Sequence, residues 1–403
     1  MLEPVRVVDD PKLPALALLL GPQAAHLLEV LVEPLGGSIR SARIGQVRYV
    51  PAKSATVQYE AEVDVGSATS HTTFIATSGV AVSGEVVRLD ADGIGIAAWG
   101  YPHDPFLPGL ASAADPHAAG RLLADLGATS TTVTVRRRAY RAGRRAVVEV
   151  RCGPDSIYLK VVRPSQVAAL QETHGRMTGQ VPVPRSLGWS DELGIIALQA
   201  LRGRPLRKAI QAGTLDLPSA AALTQLLDRL PSIDRPAAPG PLDRVASHVR
   251  LISAIMPELR HRLEAFADEV ATVSVEPLQP THGDFHAGQI LVDGTAIVGL
   301  VDVDTAGMGQ RSDDLARLLA QMSTLAISSP QRDLLDRYGR ALITGFDRLV
   351  DPVGLRLRVA AAVLGFATGP FRVQTANWPD ETDARVALAE RWLAFARNMA
   401  DPR

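Results

Sequence analysis

The run Thr281-His282-Gly283-Asp284-Phe285-His286-Ala287-Gly288-Gln289, continued by the apolar stretch 290–292, a second apolar stretch over 296–301 and then Asp302-Val303-Asp304, constrains this chain more than any other feature. Between the two stretches lies Asp293-Gly294, a dipeptide that readily takes the positive φ of a tight hairpin turn. A hairpin closed there lays Gln289 beside Asp302, and the loop before it carries Asp284. Three oxygen-bearing side chains are thus expected to converge.

Phosphoryl transfer asks for that kind of set. It needs little covalent help, so a protein positions the acceptor hydroxyl, holds magnesium on the nucleotide phosphates and neutralises charge spreading over oxygens. A His-x-Asp-x-x-x-x-Asn loop followed by an Asp ending the next strand is the protein-kinase solution. Here Gln289 stands where that pattern has Asn. Taken singly, these residues have bland readings, since a lone His-Gly-Asp is common and an Asp at a strand end is ordinarily a turn former. Their conjunction is what carries the reading.

The loop and metal strand resemble those of the aminoglycoside phosphotransferase and choline kinase superfamily. The Gln289 variant is most similar to maltokinase-like sugar kinases. The resemblance implies that Asp284 is the catalytic base or hydroxyl orienter and that Gln289 and Asp302 are magnesium ligands. It puts Asp304 near the metal or acceptor and makes Asp314 a support behind the loop; His282 and His286 join them as supporting candidates. One extra methylene in Gln289 keeps the hard oxygen donor that magnesium accepts. His286 has a structural alternative as a backbone hydrogen-bond partner.

Upstream, β-branched runs at 133–138, 146–150 and 156–162 predict a small antiparallel sheet. Lys160 occupies the place of the phosphate-pairing lysine, and Glu172, the only acid in the helical stretch 166–177, is its partner candidate. Both could instead be solvated surface charges. No Gly-x-Gly-x-x-Gly joins the first two strands; Gly143 stands there among Arg141, Arg144 and Arg145, a short basic turn that could cover phosphates or face solvent. The apolar strand 193–201 runs into Arg202-Gly203, and the resemblance implies that the backbone of Gln199 to Leu201 binds the adenine edge.

Residues 1–112 exceed what a minimal phosphotransferase needs. Alternation over 56–63 and short runs at 72–76 and 85–89 predict strands, after a helical segment over 14–32. Tyr49 to Val57 lines up with Tyr140 to Val148, a short internal match that suggests a cap related to the nucleotide lobe, with Phe74-Ile75-Ala76 falling opposite Tyr158-Leu159-Lys160. Chance similarity of two hairpins is the competing account. Asp115-Pro116 predicts a helix start, with His117 to Leu126 as its body and Gly127 at its end, and Ser312 is the expected N-cap of a helix at 313–326. Further helices are expected at 219–230, 243–255, 257–272, 330–347, 353–367 and 381–399. Residues 369–374 and 377–379, with Phe371, Arg372 and Trp378, suit either a polyol pocket or a loop packed on the lobe.

The expected fold is therefore α+β, bilobal and protein-kinase-like. A cap spans 1–112, a small β-rich nucleotide lobe 113–200, and a larger, mainly helical lobe 201–403. With 42 basic and 43 acidic residues mixed along the chain, nucleic acid is not an expected partner. The single Cys152 excludes an intrachain disulfide and suits the cytoplasm; no apolar run matches a membrane span. The expected activity is an ATP- and magnesium-dependent kinase acting on a sugar or amino sugar; the sequence does not fix the oligomeric state, a monomer being favoured. An aminoglycoside-type antibiotic is the alternative acceptor, and an impaired, nucleotide-binding pseudokinase the alternative class.

Overall fold

The computed structural model describes residues 8–91, 93–125, 133–153, 155–271 and 273–400. The chain enters through α1 (Ala15–Leu20) and α2 (Ala24–Val32). These are two helices where one segment over 14–32 was expected. Pro22 lies between them, and proline can neither donate a helical N–H nor fit its ring against the preceding turn. Five strands follow: β1 (Gly37–Val50), β2 (Ser54–Val65), β3 (Ala68–Ser78), β4 (Val87–Ala91) and β5 (Ile94–Gly100), ordered β1-β2-β3-β5-β4. The alternation in β2 does what it predicts, burying Ala55, Val57, Tyr59, Ala61 and Val63 on one face.

After α3 (Leu110–Ala114) and α4 (Pro116–Asp125) comes a second five-stranded sheet. It contains β6 (Val133–Arg141), β7 (Arg145–Cys152) and β8 (Asp155–Val162), then α5 (Pro164–Met177), β9 (Ser186–Ser190) and β10 (Ile195–Gln199). Its order is β6-β7-β8-β10-β9, the order of the first sheet. Asp115 caps α4 as expected, its Oδ1 accepting from the Ala118 N–H at 2.7 Å; Leu126 and Gly127, the expected end of that helix, lie outside the described residues. So does Thr272.

The duplication goes further than strand order. Tyr49 pairs with Ala55 across its hairpin as Tyr140 pairs with Ala146, so the match of 49–57 to 140–148 holds in register. A second signal escaped the sequence reading: Asp-Pro-x-Leu-Pro-x-Leu-Ala occurs at 10–17 and again at 104–111. The register also corrects one detail. Lys160 sits opposite Val147, and the corresponding position in the first sheet, opposite Thr56, is Thr77 and not Ala76.

The chain divides into two compact units. The first comprises Met1–Ala168, Leu187–Gln199 and Pro370–Pro379; the second comprises Ala169–Ser186, Ala200–Gly369 and Asp380–Arg403. Both sheets belong to the first unit and share one core, in which Ile75, Trp99, Leu107, Leu110, Leu123, Val148, Leu159 and Val161 are buried together. The aromatics of 370–379 pack beside Tyr49 of β1: Phe371 and Trp378 are each 2 % exposed, and Phe371 meets Tyr49 and Trp378 edge-on. This is the packing reading of that segment, not an open aromatic pocket.

The second unit contains β11 (Arg204–Pro205), α6 (Leu206–Gln211), α7 (Ala220–Asp228), α8 (Val245–Ile255) and α9 (Arg260–Val270). Short strands β12 (Gln279–Thr281), β13 (Ile290–Asp293), β14 (Ala296–Leu300) and β15 (Gly307–Gly309) frame the catalytic-type loop. Helices α10 (Arg311–Ala326), α11 (Arg332–Phe346) and α12 (Pro352–Ala367) follow; then come α13 (Gly369–Val373), nearly all of it in the first unit, and α14 (Trp378–Ala400), most of it in the second. In α12, Leu355 and every residue from Val359 to Leu364 are buried, the signature of a helix enclosed on all sides. Ser312 is not the cap of α10; Gln310 holds that place and Ser312 lies buried inside the first turn. Among the described residues no helix is long and apolar enough to cross a membrane.

Candidate active site

Strand β12 pairs with β15, and β13 pairs with β14, so the loop from His282 to Gln289 is suspended between two small ladders. Its backbone is held from behind by Asp314, a fully buried side chain on the first turn of α10. The Asp314 carboxylate accepts from the N–H groups of His282 (2.7 Å) and Gly283 (2.9 Å). Burial pushes this carboxyl up from the usual range, and those two N–H bonds oppose the shift. Gly283 has φ +76°, and a Cβ there would stand 2.4 Å from the Thr305 carbonyl oxygen. Only glycine fits.

Both ring nitrogens of His282 are engaged within the loop: Nδ1 accepts the Asp284 N–H at 3.3 Å, which leaves Nε2 to donate to the Val301 carbonyl at 3.1 Å. His286 behaves similarly: Nδ1 accepts from the Gly288 N–H at 3.0 Å, Nε2 lies 3.8 Å from Asp284 Oδ2, and burial depresses its pKa.

The hairpin brings Gln289 to Asp302, Nε2 to Oδ2 at 3.1 Å. Asp302 adopts φ +61° and ψ +48°, a left-handed conformation that a non-glycine residue holds only when its surroundings impose it. The Val301 N–H donates to the Gln289 carbonyl at 2.9 Å and fastens the two segments together. The Asp302 carboxylate and the side-chain amide of Gln289, which faces it through Nε2, carry hard oxygen donors of the kind magnesium takes, and this ion on a nucleotide takes one or two carboxylates with phosphates and water completing its shell. The residues present fit that ion. Asp304 lies two residues past Asp302, where its backbone carbonyl accepts from Arg235 at 3.0 Å.

Arg317, one turn after Asp314 on α10, went unremarked in the sequence. Its Nη1 lies 3.6 Å from Asp284 Oδ1. The signal was an i, i+3 spacing from a loop-supporting acid. Arg317 and Arg244 both donate to the Pro239 carbonyl, at 3.0 and 3.1 Å. Asp313 is engaged with Arg358, itself 1 % exposed, at 3.3 Å; burial raises the Asp313 carboxyl to about 6.

In the first unit, Lys160 lies on the central strand of its sheet and is 5 % exposed, so it is no solvated edge charge. Leu159 and Val161 point into the core and Lys160 to the opposite face, which also carries Glu149, 3 % exposed and paired with Arg138 at 2.6 Å. Glu149 was not a candidate from the sequence. Glu172 is exposed and bonded to Arg176 one helical turn on. One of the boundaries between the two units falls between Gln199 and Ala200, with Leu201 just beyond it; Arg372 is exposed.

The sequence model of the phosphotransferase enzyme family (APH) matches residues 134–350, more than half of the chain. The chain belongs to this family. It is an ATP-dependent phosphotransferase that acts on a hydroxyl group, with magnesium as the ion of that chemistry. No curated protein matches it. Among solved structures, a macrolide 2'-phosphotransferase from Brachybacterium faecium is 18% identical, covering 67% of this chain and 97% of its own, with a TM-score of 0.41. A choline/ethanolamine kinase family protein from Mesorhizobium loti is 15% identical, covering 70% and 98%, with a TM-score of 0.47. An aminoglycoside phosphotransferase in ternary complex with AMP-PNP and hygromycin B is 13% identical, covering 69% and 98%, with a TM-score of 0.49. These likenesses are low, and membership rests on the family match.

One titration beside the site of this phosphotransferase is testable directly. Burial, and behind it the charges of Arg244 and Arg317, holds the His248 imidazole down from 6.5 to about 4. Unfolded, the ring takes a proton below its ordinary pKa; folded, it does not until about 4. The unfolded state therefore binds more protons in that window, and stability falls as pH drops through it. The loss approaches about 3 kcal/mol. Urea unfolding at pH 7 and pH 5 should show a smaller drop for His248→Gln than for wild type; equal drops would exclude His248 as the cause.

Proposed function

We propose that this phosphotransferase passes the γ-phosphate of ATP to a hydroxyl of a sugar or amino sugar. In this reading Asp284 orients the acceptor hydroxyl and takes its proton, and Gln289 and Asp302 hold magnesium. Lys160 pairs with the nucleotide phosphates, with Glu172 or Glu149 as its acid, and backbone groups from Gln199 to Leu201 meet the base. His282, His286 and Asp314 hold the loop, while Asp304 and Arg372 are acceptor-side candidates. The segment 1–112 is a cap on the nucleotide lobe, and the enzyme works in the cytoplasm, where ATP is and Cys152 stays reduced. The observation that carries the reading is the junction of Gln289 with Asp302 in the same hairpin whose loop presents Asp284.

The acceptor class is supported by charge. An aminoglycoside is a polycation and needs uncommitted carboxylates, because a like charge at close range costs affinity. Around Asp284 stand the guanidinium of Arg317, at 3.6 Å, and Arg244 on the same carbonyl. Two acids on the same side are already engaged: Asp313 with Arg358, and Asp243 with the Gly240 N–H at 2.8 Å. A neutral or singly amino-substituted sugar suits that surface better than a polyamine. Purified enzyme with ATP and magnesium, offered hexoses, disaccharides, amino sugars and aminoglycosides, should give phosphorylated product, followed by mass, on the first three classes. Turnover confined to aminoglycosides would overturn the sugar reading.

A further inference from the structure

The turn joining β6 to β7, in the place where a kinase-type sheet has its glycine-rich loop, is held by both backbone groups of Gly143. Its N–H donates to Asp104 Oδ2 at 2.7 Å, and its carbonyl accepts from Arg163 Nε and Nη2 at 3.0 and 2.8 Å. Asp104 is 4 % exposed and saturated with partners. Oδ2 also accepts the Tyr140 hydroxyl at 2.9 Å, and Oδ1 the Phe106 N–H at 2.9 Å. The Arg163 guanidinium lies over the Phe106 ring, 4.7 Å from its centroid. Gly143 has φ +67°, and a Cβ there would meet that ring at 3.1 Å. The turn is built to hold one conformation.

Arg145 pairs with Val162 and Val147 with Lys160, so turn and lysine share one end of the sheet. The first sheet repeats the aspartate half of this latch without the lysine, with Val80 at the place of Arg163. Asp10 Oδ2 accepts from the Tyr49 hydroxyl and the Ala52 N–H, each at 2.7 Å, and Oδ1 from the Lys12 N–H at 3.0 Å. Ala52 even shares the positive φ, +61°. Where the second sheet has Lys160, the first has Thr77, whose hydroxyl is spent on the Ala55 carbonyl at 2.9 Å. One molecule thus holds the same aspartate-centred contacts twice, once beside a phosphate-pairing candidate and once not.

We propose that Asp104 is a positioning residue for nucleotide binding: through Tyr140 and Gly143 it fixes the 141–145 turn over the phosphates, replacing a flexible glycine loop by a pre-organised one. This rests on the reading of Lys160 as the phosphate lysine. Asp10 is the built-in control, since the same chemistry in the first sheet stabilises a hairpin with no nucleotide beside it.

The test compares Asp104→Asn with Asp10→Asn, and Tyr140→Phe with Tyr49→Phe, the phenylalanine pair removing one hydroxyl should an Asp variant fail to fold. Magnesium-ATP affinity is measured by calorimetry, with melting temperature and the separate KM values for ATP and acceptor. All four variants should melt earlier, but only Asp104→Asn and Tyr140→Phe should weaken ATP, by roughly ten- to hundredfold as expected for a displaced binding loop, with the acceptor KM unmoved. Wild-type ATP affinity in a folded Asp104→Asn or Tyr140→Phe, or an equal loss in the first-sheet variants, overturns the proposal. Failure of the wild type to bind magnesium-ATP overturns the functional reading beneath it as well.

Discussion

Replacing Asp284 by Asn should lower kcat by about 10²- to 10⁴-fold, the contribution expected of a positioned general base, while KM for ATP stays near its wild-type value. Asparagine keeps the shape of the side chain and loses both the charge that orients the hydroxyl and the capacity to take its proton. The effect should concentrate in kcat because the nucleotide is held by other groups, Lys160 and the Gln289–Asp302 pair in our reading. Steady-state kinetics on the acceptor identified in the panel measure it. A variant that turns over at the wild-type rate would remove Asp284 from the chemistry, and one that loses ATP affinity in proportion to kcat would make it a nucleotide-binding residue.

Asp314→Asn should cost both stability and rate, although this residue is enclosed behind the loop. Its carboxylate takes two backbone N–H groups, and bonds of that kind to a charged acceptor contribute about 1.5–3 kcal/mol each. Relief of the desolvation that raises its pKa offsets part of that loss, so a net destabilisation of about 2–3 kcal/mol is expected. Asparagine can accept only one of the two bonds well and points an NH2 at the other donor. The loop loosens at His282-Gly283, directly before Asp284, so kcat should fall even at temperatures where the variant is fully folded. Urea unfolding and kinetics on the same preparation separate the two effects. Unchanged kcat in a destabilised variant would restrict Asp314 to folding.

The hairpin around Asp293-Gly294 was legible because local turn chemistry fixes the register, and the register decides that Gln289 meets Asp302. The alternation of β2 was legible for the same kind of reason: a period of two states which face is buried. Strands β1, β5 and β9 were missed, since polar and glycine-interrupted runs such as 37–50 carry no clean period until a partner strand supplies the hydrogen bonds. Ser312 misled because capping propensity is local, whereas Gln310 is fixed at the helix start by bonds to Glu276 and Arg358 from distant segments.

By itself the sequence determined the spacing of the loop's oxygen-bearing side chains and the turn that joins Gln289 to Asp302, and it offered the twofold Tyr-centred hairpin beside chance similarity, all properties carried by neighbours within a few residues. Only the tertiary structure decided that Lys160 is buried on a central strand, that Arg317 faces Asp284, that Phe371 and Trp378 are packing residues, and that Asp104 and Asp10 latch equivalent turns. Most of those contacts join residues dozens to hundreds of positions apart, as Tyr49 and Phe371 are, and burial and pairing across such separations are set by how the elements pack, which no local pattern encodes.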